Sequence, residues 1–177
     1  VAAGAAAGDS ALPAAVDLFV LAGQSNMQGW QGNAQEYPAA ARNEDAAIRF
    51  YWNTPGYSSS DGKWTTLRPQ GGRFPKGHFG PEISFARSLK ANGFNPAIFK
   101  FSLRSTGLAR DWRAPGQDGL YDKMVKELRG AIAQIEKEGP AVRVRALVWI
   151  QGESDAETDA LASGYFERLQ HLIKDFR

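Results

Sequence analysis

Ser25 lies just past a glycine that ends an apolar run, within Gly23-Gln24-Ser25-Asn26-Met27. A serine hydroxyl in that setting can attack a carbonyl carbon, provided that a base takes its proton and fixed N–H groups receive the oxyanion. If a helix begins near Asn26, its free N–H groups and dipole face whatever Ser25 attacks. The same serine can equally serve as a helix cap, and the spacing alone leaves both readings open. Two further polar turns follow apolar runs. One is Arg104-Ser105-Thr106-Gly107, after residues 97–103; the other is Gln151-Gly152-Glu153-Ser154-Asp155, after residues 144–150.

The elements that must position these turns read as follows. Val16-Asp17-Leu18-Phe19-Val20-Leu21 opens a buried strand over about 16–22, and 47–52 reads as a second, short strand. Residues 53–80 are rich in Gly, Pro and Ser, a length of connection that usually carries function. A helix is predicted over 81–90, with Pro81 in its first turn and Gly93 at its end. Residues 97–103 form the next strand. Tyr121, Met124, Val125, Leu128, Ala131, Ile132 and Ile135 make one apolar stripe of a helix over about 120–138. Residues 144–150 are apolar enough to be a central strand. A last helix over about 157–176 turns Leu161, Tyr165, Leu169, Leu172 or Ile173, and Phe176 inward. This order predicts an α/β protein with a mostly parallel sheet and helices on both faces. Parallel strands bring Ser25, Ser105 and Gln151 to one sheet edge, and that convergence favours the nucleophile over the cap.

Composition narrows the field. The 177 residues suit one domain, with residues 1–15 a low-complexity, flexible lead-in and 16–177 the folded unit. Gly8-Asp9-Ser10 spells a lipase-like triplet, but no strand precedes it. A net charge of +2 with scattered basic residues gives no footprint for nucleic acid. No apolar run approaches the ~20 residues of a membrane helix. There are no cysteines, no Walker-type phosphate loop, and no His-Glu-x-x-His or acidic ligand set, so neither metal nor cofactor is expected. The Ala/Gly-rich start without methionine resembles what a cleaved signal peptide leaves, which sets the expectation of a secreted or periplasmic protein. Trp30, Trp52, Trp64 and Trp112 fall in expected loops, where they line a sugar cleft or simply pack.

The three polar turns resemble the blocks of the SGNH/GDSL hydrolase superfamily, and more closely its sialate O-acetylesterase-like and carbohydrate esterase family 6 group. Gly-Gln-Ser-Asn-Met at 23–27 matches the nucleophile block, with Gln24 where other members have Asp. Phe79-Gly-Pro-Glu-Ile-Ser-Phe-Ala86 matches the next segment. Residues 100–112, Lys-Phe-Ser-Leu-Arg-Ser-Thr-Gly-Leu-Ala-Arg-Asp-Trp, match the second block, and Trp149-Ile-Gln-Gly-Glu-Ser-Asp-Ala156 the third, with Gln for the superfamily Asn.

The resemblance implies a three-layer α/β/α sandwich of flavodoxin-like type and removal of acetyl groups from an acetylated carbohydrate. Ser25 would be the nucleophile, with its own N–H and the Gln151 amide as oxyanion donors. Gln24, Asn26, Arg104 and Ser105 would line the oxyanion or substrate site. Glu153 would orient a histidine, bind substrate or hold a loop, and Asp155 would cap the following helix.

The chain departs from the family pattern at two places. Arg104 and Ser105 stand where the family has glycines. Arg104 could offer its N–H, bind an acidic substrate group, or fill the pocket. In addition, no Asp-x-x-His occurs, so the resemblance implies a base supplied by a companion C-terminal polypeptide, or a sequence truncated before that block. His78 is expected in a surface loop and His171 on a solvated helix face; neither is a good candidate base. Two other functions fit the pattern: a non-catalytic carbohydrate-binding protein on this fold, and a broader thioesterase or lipase.

Overall fold

Residues 15–177 are described by the computed structural model; the expected lead-in and its Gly-Asp-Ser triplet fall outside them, apart from Ala15. Strand β1 (Val16–Gly23) is buried along its whole length. It is apolar on both faces because both are covered, as parallel strands require. Val16, Leu18, Val20 and Ala22 point into one core and Phe19 and Leu21 into the other. The short helix α1 (Ser25–Gln28) follows directly. Strand β2 (Arg49–Thr54) carries two short antiparallel partners, β3 (Ser58–Ser59) and β4 (Thr65–Thr66).

Next come helix α2 (Glu82–Ala91), strand β5 (Pro96–Ser102), helix α3 (Leu120–Lys137) and strand β6 (Val142–Ile150). The expected final helix is divided at Gly164 into α4 (Asp159–Ser163) and α5 (Tyr165–Phe176). The sheet order is β3-β2-β5-β1-β6, with β2, β5, β1 and β6 mutually parallel. Helices α3 and α5 pack on one face through Met124, Leu128, Ile135 and Leu172. Met27 of α1 and Ile83 and Ala86 of α2 pack on the other. The mostly parallel sheet with helices on both faces expected from the element order, and the three-layer α/β/α architecture implied by the resemblance, are observed.

One expectation fails. Strand β6 lies at the edge of the sheet among the described residues, not at its centre, and Val144 is 48% exposed. Leu147 and Trp149 still turn toward the α3/α5 core and Val148 and Ile150 toward the other. An apolar run records that both faces are covered; it does not record how many neighbours share the strand's hydrogen bonds. The pairing of β6 with β1 also skips Arg145, which bulges out to form an ion pair with Asp17 at 2.7 Å.

Candidate active site

Strand β1 has β5 on one side and β6 on the other, and the register aligns Gly23 with both Ser102 and Ile150. Chain direction therefore delivers the three polar turns to one place, the carboxyl edge at the switch point where α/β folds bind ligands. The Gln24 N–H donates to the Ile150 carbonyl at 3.0 Å and the Leu103 N–H to the Gly23 carbonyl at 3.1 Å. Gly23 itself has φ +148°, and a Cβ there would lie 2.0 Å from the Ile150 oxygen. Only glycine lets the nucleophile turn sit this close to β6.

Ser25 is half-buried at the start of α1, and among the described residues its hydroxyl makes no capping bond and its N–H has no acceptor. Gln24 is buried, and its Oε1 accepts from Gln151 Nε2 at 3.2 Å and from the Ser154 N–H at 3.3 Å. It thus ties the first turn to the third. Exposed Asn26 donates from Nδ2 to Glu153 Oε1, a second tie between the same turns. Gln151 Nε2 also faces the Thr106 carbonyl at 3.0 Å and Asp155 Oδ2 at 2.8 Å. It has three acceptors and only two hydrogens.

Contrary to expectation, Asp155 does not cap the following helix. It is buried, and its carboxylate accepts from the N–H groups of Leu108 (2.7 Å) and Ala109 (3.2 Å), at the start of a π-helical turn over Leu108–Trp112. Thr158 caps α4 instead. The π-helical turn carries Trp112, which is fully buried against Trp149 with ring centroids 4.7 Å apart. Of the four tryptophans expected in loops, Trp52 lies buried in β2, Trp64 donates to the Ala131 carbonyl of α3, and only Trp30 stands beside the site.

The second turn resolves the glycine departures. Ser105 has φ 58°, the left-handed conformation for which a glycine is ordinarily chosen. The Arg104 N–H donates to Gln28 Oε1 at 3.2 Å, so that donor is engaged. Its guanidinium lies over the Trp30 ring at 4.6 Å and the Tyr57 ring at 5.4 Å, and Nε donates to the Tyr57 hydroxyl at 3.0 Å.

Beneath the nucleophile turn is a charge pair that the sequence did not announce. Lys100 and Glu82 are both fully buried, 2.5 Å apart. Lys100 Nζ also donates to the Gln28 carbonyl, the last of α1, at 3.1 Å. Glu82 Oε1 accepts from the Gly80 N–H and from Gln70 Nε2, each at 2.9 Å. Burial pulls the Lys100 ammonium below its ordinary range, and Glu82 pulls it back. The one available signal was a lone cation inside the apolar run 97–103.

His78 is not the surface loop residue expected. It is fully buried and bridges to Asn33 and Gln70, and neither ring nitrogen has a partner among the described residues. Burial, with the Lys100 charge nearby, keeps its imidazole below the usual range. His171 is exposed on α5, as expected. No described histidine hydrogen-bonds to Ser25, and no cluster of three His, Cys, Asp or Glu suited to a metal occurs among the described residues. No described helix is long and apolar enough to cross a membrane.

A mostly parallel α/β/α sandwich with a serine turn, a left-handed second turn and a Gln-Gly-Glu turn at one edge is an SGNH-like α/β fold. Residues 15–177 match the family described as carbohydrate esterase, sialic acid-specific acetylesterase, and the chain belongs to that family. A protein of Arabidopsis thaliana has a similar fold, at a TM-score of 0.64 and 23% identity over 91% of this chain and 67% of that one. A carbohydrate acetylesterase from Xanthomonas citri is similar at a TM-score of 0.56 and 24% identity, over 91% of this chain and 38% of that one. This chain thus spans well under half of the Xanthomonas protein. No curated protein sequence matches it.

Proposed function

We propose that this chain bears the nucleophile of a serine esterase that removes O-acetyl groups from carbohydrate through an acyl-enzyme. The observation that carries the reading is the meeting of Ser25, Ser105 and Gln151 at the ends of β1, β5 and β6. Ser25 Oγ attacks the acetyl carbon, the carbon–oxygen bond to the sugar breaks, and the sugar oxygen leaves with a proton. Water then releases acetate from Ser25. The oxyanion is received by the unengaged Ser25 N–H and by Gln151 Nε2, which turns one of its two hydrogens to it by giving up an acceptor, Gln24 Oε1 at 3.2 Å being the longest of the three. Asn26, Glu153 and Gln24 hold the turns together, and the left-handed backbone at Ser105 shapes the opposite wall.

The base is a histidine of an Asp-x-x-His segment that pairs with the outer edge of β6, in line with delivery to the same sheet edge. What supports this is the surface that would receive it. Exposed Val144 and Ala146, with Leu147 and Trp149 of β6 and Ile173 and Phe176 of α5, line an open cavity of about 660 Å³. Secretion into an extracellular or periplasmic space fits a glycan substrate.

A fluorophosphonate probe and 4-nitrophenyl acetate test the reading, with Ser25→Ala alongside. Stoichiometric labelling and turnover, both lost in the variant, are expected from protein that includes the base-bearing segment. A Gln151→Ala variant should then lose roughly 10²–10³ in turnover. Wild type that stays unlabelled in that form favours the rival reading, a carbohydrate-binding protein, for which the aromatic stacking of Arg104 speaks.

A further inference from the structure

Four cations of the second turn and the 68–77 loop have no acidic partner among the described residues. Arg68, Arg73, Lys76 and Arg104 take part in none of the ion pairs among the described residues. Three of the four lie over aromatic rings. Arg104 and Arg73 both stand over Trp30, at 4.6 and 4.7 Å from its ring centre, and Arg73 also lies 5.0 Å from that of Phe74. Arg68 stands over Trp52 at 5.3 Å. Arg73 Nη1 donates to the Trp30 carbonyl at 2.7 Å and to Gln31 Oε1 at 3.1 Å, which fixes its orientation. Beyond Arg73 the loop opens a shallow cavity of about 690 Å³ lined by Trp52, Arg68, Gln70, Arg73, Phe74 and Lys76, with no acidic residue in its wall. The strip touches the site directly, since the Trp30 N–H donates to the Ser25 carbonyl at 3.1 Å.

A guanidinium laid on an indole is held in one orientation while its edge stays free to grip a carboxylate by two parallel hydrogen bonds. Aromatic rings beside it offer apolar faces to sugar rings. We infer that the strip from Arg104 past Trp30 to the 68–77 loop binds a run of carboxylate-bearing sugars flanking the one whose acetyl group Ser25 attacks. The substrate class is thus an acidic glycan chain, not a single terminal sugar. This rests on the carbohydrate reading above, but its test needs no turnover. A net charge of +2 with otherwise scattered basic residues makes no broad cationic face, which favours a short acidic glycan over nucleic acid.

The test is a titration followed by tryptophan fluorescence, with trigalacturonic acid, neutral xylotriose, N-acetylneuraminic acid and a decathymidylate as probes. Trigalacturonic acid is expected to bind about tenfold or more tighter than xylotriose, and to weaken severalfold as salt rises from about 50 to 200 mM. Arg73→Gln and Arg104→Gln should each weaken it about fivefold or more while leaving xylotriose unchanged. Arg73 is exposed, so its variant keeps the fold, which a thermal melt verifies. Ser25→Ala should bind as wild type. Equal affinity for xylotriose, N-acetylneuraminic acid as tight as the trimer, tighter decathymidylate, or no effect of Arg73→Gln would each overturn the inference. Fluorophosphonate labelling of Ser25 reports on the catalytic reading separately, and neither result determines the other.

Discussion

Lys100→Met leaves a carboxylate with no cation in a site where both partners have zero side-chain exposure. Removing one member of a buried ion pair typically costs about 3–5 kcal/mol, because the survivor keeps its desolvation penalty. For a domain of this size each kcal/mol is roughly 2–4 °C of Tm, so the loss is roughly 6–20 °C. Glu82→Gln costs a similar amount for the opposite reason: Lys100 keeps its charge and retains only the Gln28 carbonyl. The double variant Glu82→Gln/Lys100→Met should lie within about 2 kcal/mol of wild type, since glutamine still accepts from the Gly80 N–H and Gln70 and no buried charge is left. Urea unfolding of the four proteins gives the coupling, expected at about 4 kcal/mol or more.

The pH dependence has a definite sign. Burial already lowers the Lys100 pKa in the folded state, and Glu82→Gln removes the charge that opposes it. The penalty is full below the folded pKa and fades toward the unfolded value of about 10.4, so the deficit of Glu82→Gln narrows as pH rises toward about 10. Losses that simply add in the double variant, with coupling below about 1 kcal/mol, would refute the reasoning.

The Asp45 carboxyl is raised by burial but carried below its ordinary range by Arg87 and by the Tyr37 hydroxyl. Its contribution is present above about pH 4 and lost as pH falls through the folded value, so Asp45→Asn should cost about 1–3 kcal/mol at pH 7 by urea titration and converge on wild type once pH lies below that value. Gly23→Ala drives a methyl into the Ile150 carbonyl and should cost about 3 kcal/mol or more, together with Ser25 labelling. Gly93→Ala, at φ +85° with nothing within 4 Å, should cost only about 1 kcal/mol in thermal melts. Ser105→Gly should leave stability within about 0.5 kcal/mol, relief of the left-handed backbone offsetting the entropy of glycine, whereas Ser105→Val should lose about 1–2 kcal/mol.

The strands and the α3 stripe were legible because burial writes period and apolarity directly into residue type. The three polar turns were legible because parallel strands allow them only one edge. What stayed hidden depends on partners distant in sequence. Glu82 reads as a first-turn acid favoured by the helix dipole until β5 places Lys100 against it. Asp155 reads as a cap for its own next helix, but the nearer unsatisfied N–H groups belong to Leu108 and Ala109. His78 reads as a loop residue, yet it is enclosed by its bridges to Gln70 and Asn33. The edge position of β6 was illegible for a related reason, since side chains report the faces of a sheet and say little about its rim.

That rim bears on the handling of the protein. The outer backbone of β6 offers a row of donors and acceptors with no strand to take them among the described residues, the usual template for unwanted strand-to-strand association. Its first half is guarded by the charges of Arg143 and Arg145, and its second half, Ala146 to Ile150, carries none. Self-association should therefore begin at the uncharged half and rise with ionic strength, as the arginines are screened. Lower salt should weaken such association, and a further charge placed at Val144 or Ala146 should weaken it more.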